Sequence, residues 1–205
     1  MELVPPVLAR FAPDGRCLAA LHVPAPEPGQ PVSARLYPAR ARVYRVRFYE
    51  TETGRLLGDR ELPRVPEHMA FSPDGGRLFV LMSTDVNNRV LVFDVATCEQ
   101  VADLTYEYHY HSPEAVAPFP DGRQFISYDH ETWLMDTRAA FAPLGLPTPG
   151  RTATVLVTPD GQQIVQVGLD KTVRVWRQRR AMSAYGAWTL PETWGLYTAG
   201  LALAA

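Results

Sequence analysis

Short apolar runs recur along this chain, and clusters of polar and turn-forming residues separate them. LFVLM at 78–82, FISY at 125–128 and IVQV at 164–167 are rich in β-branched or aromatic residues, as strands are. A second series follows at a regular offset: RVLVFD at 89–94, TWLMD at 132–136 and TVRVW at 172–176. Between the two series lie polar hairpin turns, from Thr84 to Asn88, Asp129 to Glu131, and Leu169 to Lys171. Nearer the N-terminus, Tyr44, Val46 and Phe48 fall on one strand face and Arg45 and Arg47 on the other, because side chains alternate across a strand. The turn TETG at 51–54 leads into a further strand, and ATCEQVADL at 96–104 does the same after RVLVFD. No long stretch carries the helical period, so a parallel α/β fold is disfavoured.

A repeated phrase orders these strands. It reads FAPDGR at 11–16, FSPDGG at 71–76, PFPDGR at 118–123 and VTPDGQ at 157–162. Proline fixes φ and glycine accepts a left-handed conformation, so the phrase marks a turn between extended segments. Its aspartates, Asp14, Asp74, Asp121 and Asp160, stand 60, 47 and 39 residues apart. The last two intervals approach the roughly 40–45 residues of one propeller blade. The first contains an insertion at about 24–41, which Pro24, Pro26, Pro28, Pro31 and Pro38 mark as an irregular loop. Each unit reads as a four-stranded antiparallel sheet. Such a sheet has two apolar faces and buries both only by packing against its neighbours.

These residues carry a resemblance. An apolar strand, Pro-Asp-Gly, a second strand, a turn aspartate and Val-x-Val-Trp together resemble the WD-repeat (WD40-like) β-propeller family. The fourth unit matches best, with Thr158-Pro159-Asp160-Gly161 followed by Gly168-Leu169-Asp170-Lys171-Thr172-Val173-Arg174-Val175-Trp176. In the third, His111 matches the histidine of the family's Gly-His signature, and Ser127 and Asp129 match its serine and turn aspartate. The resemblance implies a buried, hydrogen-bonded brace built from His111, Ser127, Asp129, Asp170 and Trp176. Met135 and Phe93 stand where units three and two would have the tryptophan, and the first unit lacks the histidine. The expected fold is all-β. It consists of propeller blades over 1–180, as a four-bladed ring or a partial propeller, with an aromatic closure or interface segment at 181–205. The family usually closes with seven or eight blades, and 205 residues hold about four. Three arrangements stay open: a small closed ring, an arc completed by another protein or a second copy, and a piece of a longer product. The wedge shape of such blades favours completion by assembly.

Composition narrows the partners. A net charge of -2 provides no global field to attract nucleic acid. Two cysteines, Cys17 and Cys98, make no disulfide framework and suit a reducing compartment. The first residues lack the basic and continuously apolar regions of a secretory signal, and no run reaches the length of a membrane span. The expected location is the cytoplasm, away from membranes.

Candidate chemistry is sparse. His109 and His111 would share a strand face, but His111 already has a place in the brace and no third ligand is apparent, so no metal is expected. Neither a G-x-S-x-G elbow, a P-loop nor a dinucleotide fingerprint occurs, so no catalytic residue and no cofactor are assigned. The four repeated aspartates read as turn-builders rather than catalytic carboxylates. Lys171, Arg174, Arg177, Arg179 and Arg180 form a basic run. Arg174 alternates with core-facing residues and is expected on the solvent side of its strand. Arg177, Arg179 and Arg180 could meet an acidic partner. Arg35, Arg40, Arg42, Arg45 and Arg47 form a second basic patch near the insertion. After Arg180 the chain holds Tyr185, Trp188, Trp194 and Tyr197 with one charged residue, Glu192. Aromatics of this kind anchor interfaces, so Trp188, Trp194 and Tyr197 join the candidate interface. Packing on the chain's own blades is the other reading of this tail. The function expected is protein–protein interaction or assembly scaffolding without catalysis, through a protein partner or a second copy. The alternatives are a lactonase-like propeller hydrolase and a nucleic-acid-binding accessory module.

Overall fold

A computed structural model describes residues 8–22, 44–64, 66–83, 87–107, 115–128, 132–137, 144–146, 151–178 and 194–198. They form four sheets of four antiparallel strands, each sheet ordered as the chain runs. Blade one holds β1 (Leu8–Phe11), β2 (Cys17–His22), β3 (Tyr44–Glu50) and β4 (Leu56–Leu62). Blade two holds β5 (Pro66–Phe71), β6 (Arg77–Ser83), β7 (Asn87–Asp94) and β8 (Gln100–Glu107). Blade three holds β9 (Ala115–Pro118), β10 (Gln124–Tyr128), β11 (Thr132–Asp136) and β12 (Leu144–Leu146). Blade four holds β13 (Thr152–Val157), β14 (Gln163–Gly168), β15 (Val173–Gln178) and β16 (Trp194–Thr198). The fourth sheet thus takes its last strand from beyond Arg180. No helix occurs among the described residues, so none is long and apolar enough to cross a membrane.

The Asp-Gly phrase builds the same turn in every blade. In each, the aspartate Oδ1 accepts a hydrogen bond from the backbone N–H two residues on: Asp14 from Arg16 (2.9 Å), Asp74 from Gly76 (2.9 Å), Asp121 from Arg123 (2.9 Å) and Asp160 from Gln162 (3.0 Å). Gly15, Gly75, Gly122 and Gly161 all have φ between 58° and 74°, which costs a glycine nothing. Gly122 is doubly constrained. A Cβ there would lie 2.5 Å from Arg77 Cγ of the preceding blade, so the turn also serves as a blade contact.

Each blade has a leading face towards the next blade and a trailing face towards the previous one. Tyr44, Val46 and Phe48 lie buried on the leading face of blade one, against Met69, Leu78, Val80 and Phe93. Phe79, Leu81, Val90 and Val92 of blade two meet Val116, Phe125 and Met135 of blade three. Ala115 and Leu134 of blade three meet Val155, Ile164 and Trp176 of blade four. Among the described residues these three clusters join consecutive blades, and none joins the fourth to the first. The first strands of the four blades, β1, β5, β9 and β13, lie beside one another in that order.

Candidate functional site

Two regions hold most of the chemistry, and both follow from turn construction. The first is an open groove of about 820 Å³ between the Asp-Gly turns of blades one and two. Asp14, Glu50, Glu52, Asp74 and Asp94 line it together with Arg16 and Arg77, and Arg55 pairs with Glu50 from outside the lining. Two of the carboxylates are held ionised. Glu50 titrates below the usual range because the Thr53 hydroxyl and then Arg55 bond it. Asp94 does so because it accepts from the Thr97 backbone N–H at 2.9 Å, and Arg77 pairs with it as well. Cys17 lines the groove but is buried, and burial pushes its thiol up to about 11. Burial raises Cys98 too. Both thiols are free and therefore stay protonated and weakly nucleophilic at neutral pH.

The second region is the polar end of the interface between blades three and four. Gln166 Nε2 donates to Thr152 Oγ1 (2.6 Å) and Thr132 Oγ1 (3.1 Å), and the two hydroxyls lie 3.2 Å apart. All three residues are buried. Arg174 sits directly across from Gln166 in the sheet and is also buried, with its guanidinium 3.0 Å from Asp170 Oδ2. The expectation that Arg174 faces solvent is therefore corrected. Arg174 stands two residues from Trp176 and shares its face, which is the trailing face packed on blade three. That period was readable in the sequence. A rule for one-sided sheets hid it, because a blade buries both faces.

Asp170 is engaged locally. It accepts from the Thr172 hydroxyl (2.6 Å), the Thr172 N–H (3.1 Å) and Arg174. Trp176 is buried, yet its indole N–H has no hydrogen-bond partner among the described residues. Of the other brace residues, His111 and Asp129 lie outside the described residues. Ser127 is placed only as backbone, opposite Trp133 and Val116. His68, on which the sequence reading was silent, bridges blades two and three by accepting from the Val116 N–H at 3.4 Å. Burial lowers its pKa and keeps it neutral.

Of the candidate interface residues, Arg177 is exposed and engaged in an interaction of its own. Trp194 and Tyr197 lie on β16, in register with Gln178 and Val175. Arg179, Arg180 and Trp188 lie outside the described residues, as do Arg35, Arg40 and Arg42. Arg45 and Arg47 belong to a ladder of ion pairs rather than to an open basic patch. Asp59 takes Arg45 at 2.7 Å and Arg47 at 3.1 Å, and Glu61 takes Arg45 at 2.8 Å.

One titration tests the Asp170 turn. The Thr172 hydroxyl, the Thr172 N–H and Arg174 together pull Asp170 down from 3.8 to about 2. A depressed carboxylate stabilises the fold above its ordinary value, and that contribution fades as the pH falls from there through the folded value. Carbon-detected NMR of the carboxyl should give a midpoint near 2. A midpoint at the ordinary 3.8 would show that the turn does not form.

No protein-family model matches the chain, and no curated protein sequence matches it either. Among solved structures, the Dos1 propeller superposes with a TM-score of 0.60 at 14% identity, over 82% of this chain and 42% of that one. This chain spans less than half the length of that propeller. At such low identity the likeness establishes the fold alone. The chain is an all-β protein of four propeller-like blades, similar in fold to the Dos1 propeller.

Proposed function

We propose that this chain is a protein-interaction and assembly module, acting by binding and without catalysis. The observation that carries the reading is the groove between the first two Asp-Gly turns. Its lining has five carboxylates against two arginines. A surface of that sign attracts a basic segment of a partner protein and repels phosphate, which disfavours the nucleic-acid alternative.

Fluorescence anisotropy with a labelled oligo-arginine peptide tests this. The peptide should bind, and an oligo-glutamate peptide of equal length should not. Glu52→Lys, at an exposed turn position, should weaken binding about two- to fivefold, the range of one exposed charge pair. Raising the salt should weaken it further, because the Debye length shrinks to ~3 Å at 1 M. Equal binding of both peptides, or no response to Glu52→Lys, would remove the groove as the binding site.

A further inference from the structure

The groove between blades one and two has two unlike ends. First strands of neighbouring blades lie side by side, so the turns that join first to second strands form its inner end and carry Asp14 and Asp74. The turns that follow β3 and β7 form its outer end and bring Glu52, Val95 and Ala96 into the lining.

Leu57 completes the outer end, and a β-bulge puts it there. On β4, Leu56 pairs with Tyr49 and Gly58 with Phe48, which leaves Leu57 as the extra residue between successive pairs. A bulge bends its strand and re-aims a side chain. Leu57 lines the groove and is 40% exposed. The turn after β7 lies against this same stretch of β4. A Cβ on Gly58 would collide with Cys98 Cβ, and Arg60 pairs with Glu99 at 2.8 Å. Val95 is half-buried and packs on the core that blades one and two share. Contacts between the two blades thus hold Leu57, Val95 and Ala96 as an apolar step at the outer end, with the exposed Glu52 at the same end.

We propose that the groove selects a partner segment carrying an apolar side chain beside its basic ones, the apolar side chain seated on Leu57, Val95 and Ala96 and the basic ones on Glu52, Asp14 and Asp74. This rests on the groove as a site for basic segments and adds a second requirement to it. A purely basic segment satisfies the charges and leaves the apolar step in water. A purely apolar one would cover Glu52 and the turn aspartates with no counter-charge, and desolvating unpaired carboxylates is costly.

Fluorescence anisotropy of the full chain with labelled six-residue peptides tests the proposal. Each peptide carries five arginines, with either leucine or serine at one end, so that charge and length stay equal. With leucine at the correct end, the peptide should bind about three- to tenfold tighter than its serine counterpart, as burial of part of one leucine gives. Leu57→Ser changes an exposed residue without a cross-strand partner, so the fold should survive, as circular dichroism can verify. It should abolish the preference for leucine. Val101 is the control: it is the corresponding bulge residue on β8, 51% exposed and outside the groove lining. Val101→Ser should leave the preference intact. Glu52→Lys should weaken leucine and serine peptides alike. Equal binding of leucine and serine peptides at both ends overturns the proposal and leaves the groove as a site for basic segments. So does a preference that survives Leu57→Ser, or one that Val101→Ser removes as well. Binding of no peptide, as when the chain itself or a second copy fills the groove, overturns both.

Discussion

Phe79→Ala should destabilise the protein by about 3–5 kcal/mol, the range for large aromatic truncations in a packed core. Phe79 is fully buried on the leading face of blade two. Its ring lies 5.3 Å from that of Phe125 on blade three, tilted by 52°. That geometry adds edge-on aromatic attraction to the area it buries. Few neighbours can collapse into the space, because Leu81, Val90 and Val92 are fixed in the same sheet and packed on the same partner. The effect should also be local. Blades contact only their neighbours, so weakening one interface loosens the two blades that share it. Hydrogen exchange should lose protection in β6, β7 and β10 before β2 and β3. Phe11→Ala is the control. Phe11 is 61% exposed, and its truncation should stay within about 0.5 kcal/mol. A Phe79→Ala cost below about 1 kcal/mol in urea unfolding would mean that blades two and three do not pack as described.

Much of this architecture is legible in the sequence because its strongest signal is chemically local. A Pro-Asp-Gly turn needs no tertiary partner to specify itself: the aspartate bonds a backbone N–H two residues away and the glycine takes positive φ. Four such turns place the hairpins, and alternation then places the strands, so that TWLMD coincides with β11. Facing is harder to read. In a sheet with one wet face, an arginine between two valines points outward. In a blade both faces meet protein, and Arg174 follows Trp176 inward with Asp170 as its counter-ion. The Thr132–Thr152–Gln166 cluster was invisible for a related reason. Its members come from three strands of two blades, and nothing in their local sequence announces the contact. The groove follows the same rule. Asp14, Glu52 and Asp74 are individually readable as turn residues, Glu50 and Asp94 end the strands β3 and β7, and only the stacking of blades one and two sets them opposite each other.

Trp176→Ala should cost about 3–5 kcal/mol, whereas Trp176→Phe should stay within about 1 kcal/mol of the wild type. The two outcomes differ because the indole contributes in opposite senses. Its rings fill the space between Ala115, Phe119 and Leu134 on one side and Val155 and Ile164 on the other, so truncation to alanine opens a cavity at the blade interface. Its N–H is buried and has no partner among the described residues, and a buried unsatisfied donor carries a penalty of about 1–3 kcal/mol. Phenylalanine keeps much of the packing and removes that donor, so the lost volume and the relieved penalty offset each other. A hydrogen-bonded brace of the WD-repeat kind gives the opposite result. There the indole N–H would have an acceptor, and phenylalanine would strand it. In this chain Asp170, the turn aspartate of the fourth unit, is committed to Thr172 and Arg174. The pair of variants in urea unfolding therefore separates packing from bracing. If Trp176→Phe costs as much as Trp176→Ala, the indole has an acceptor after all, and the fourth blade is braced as the repeat family would have it.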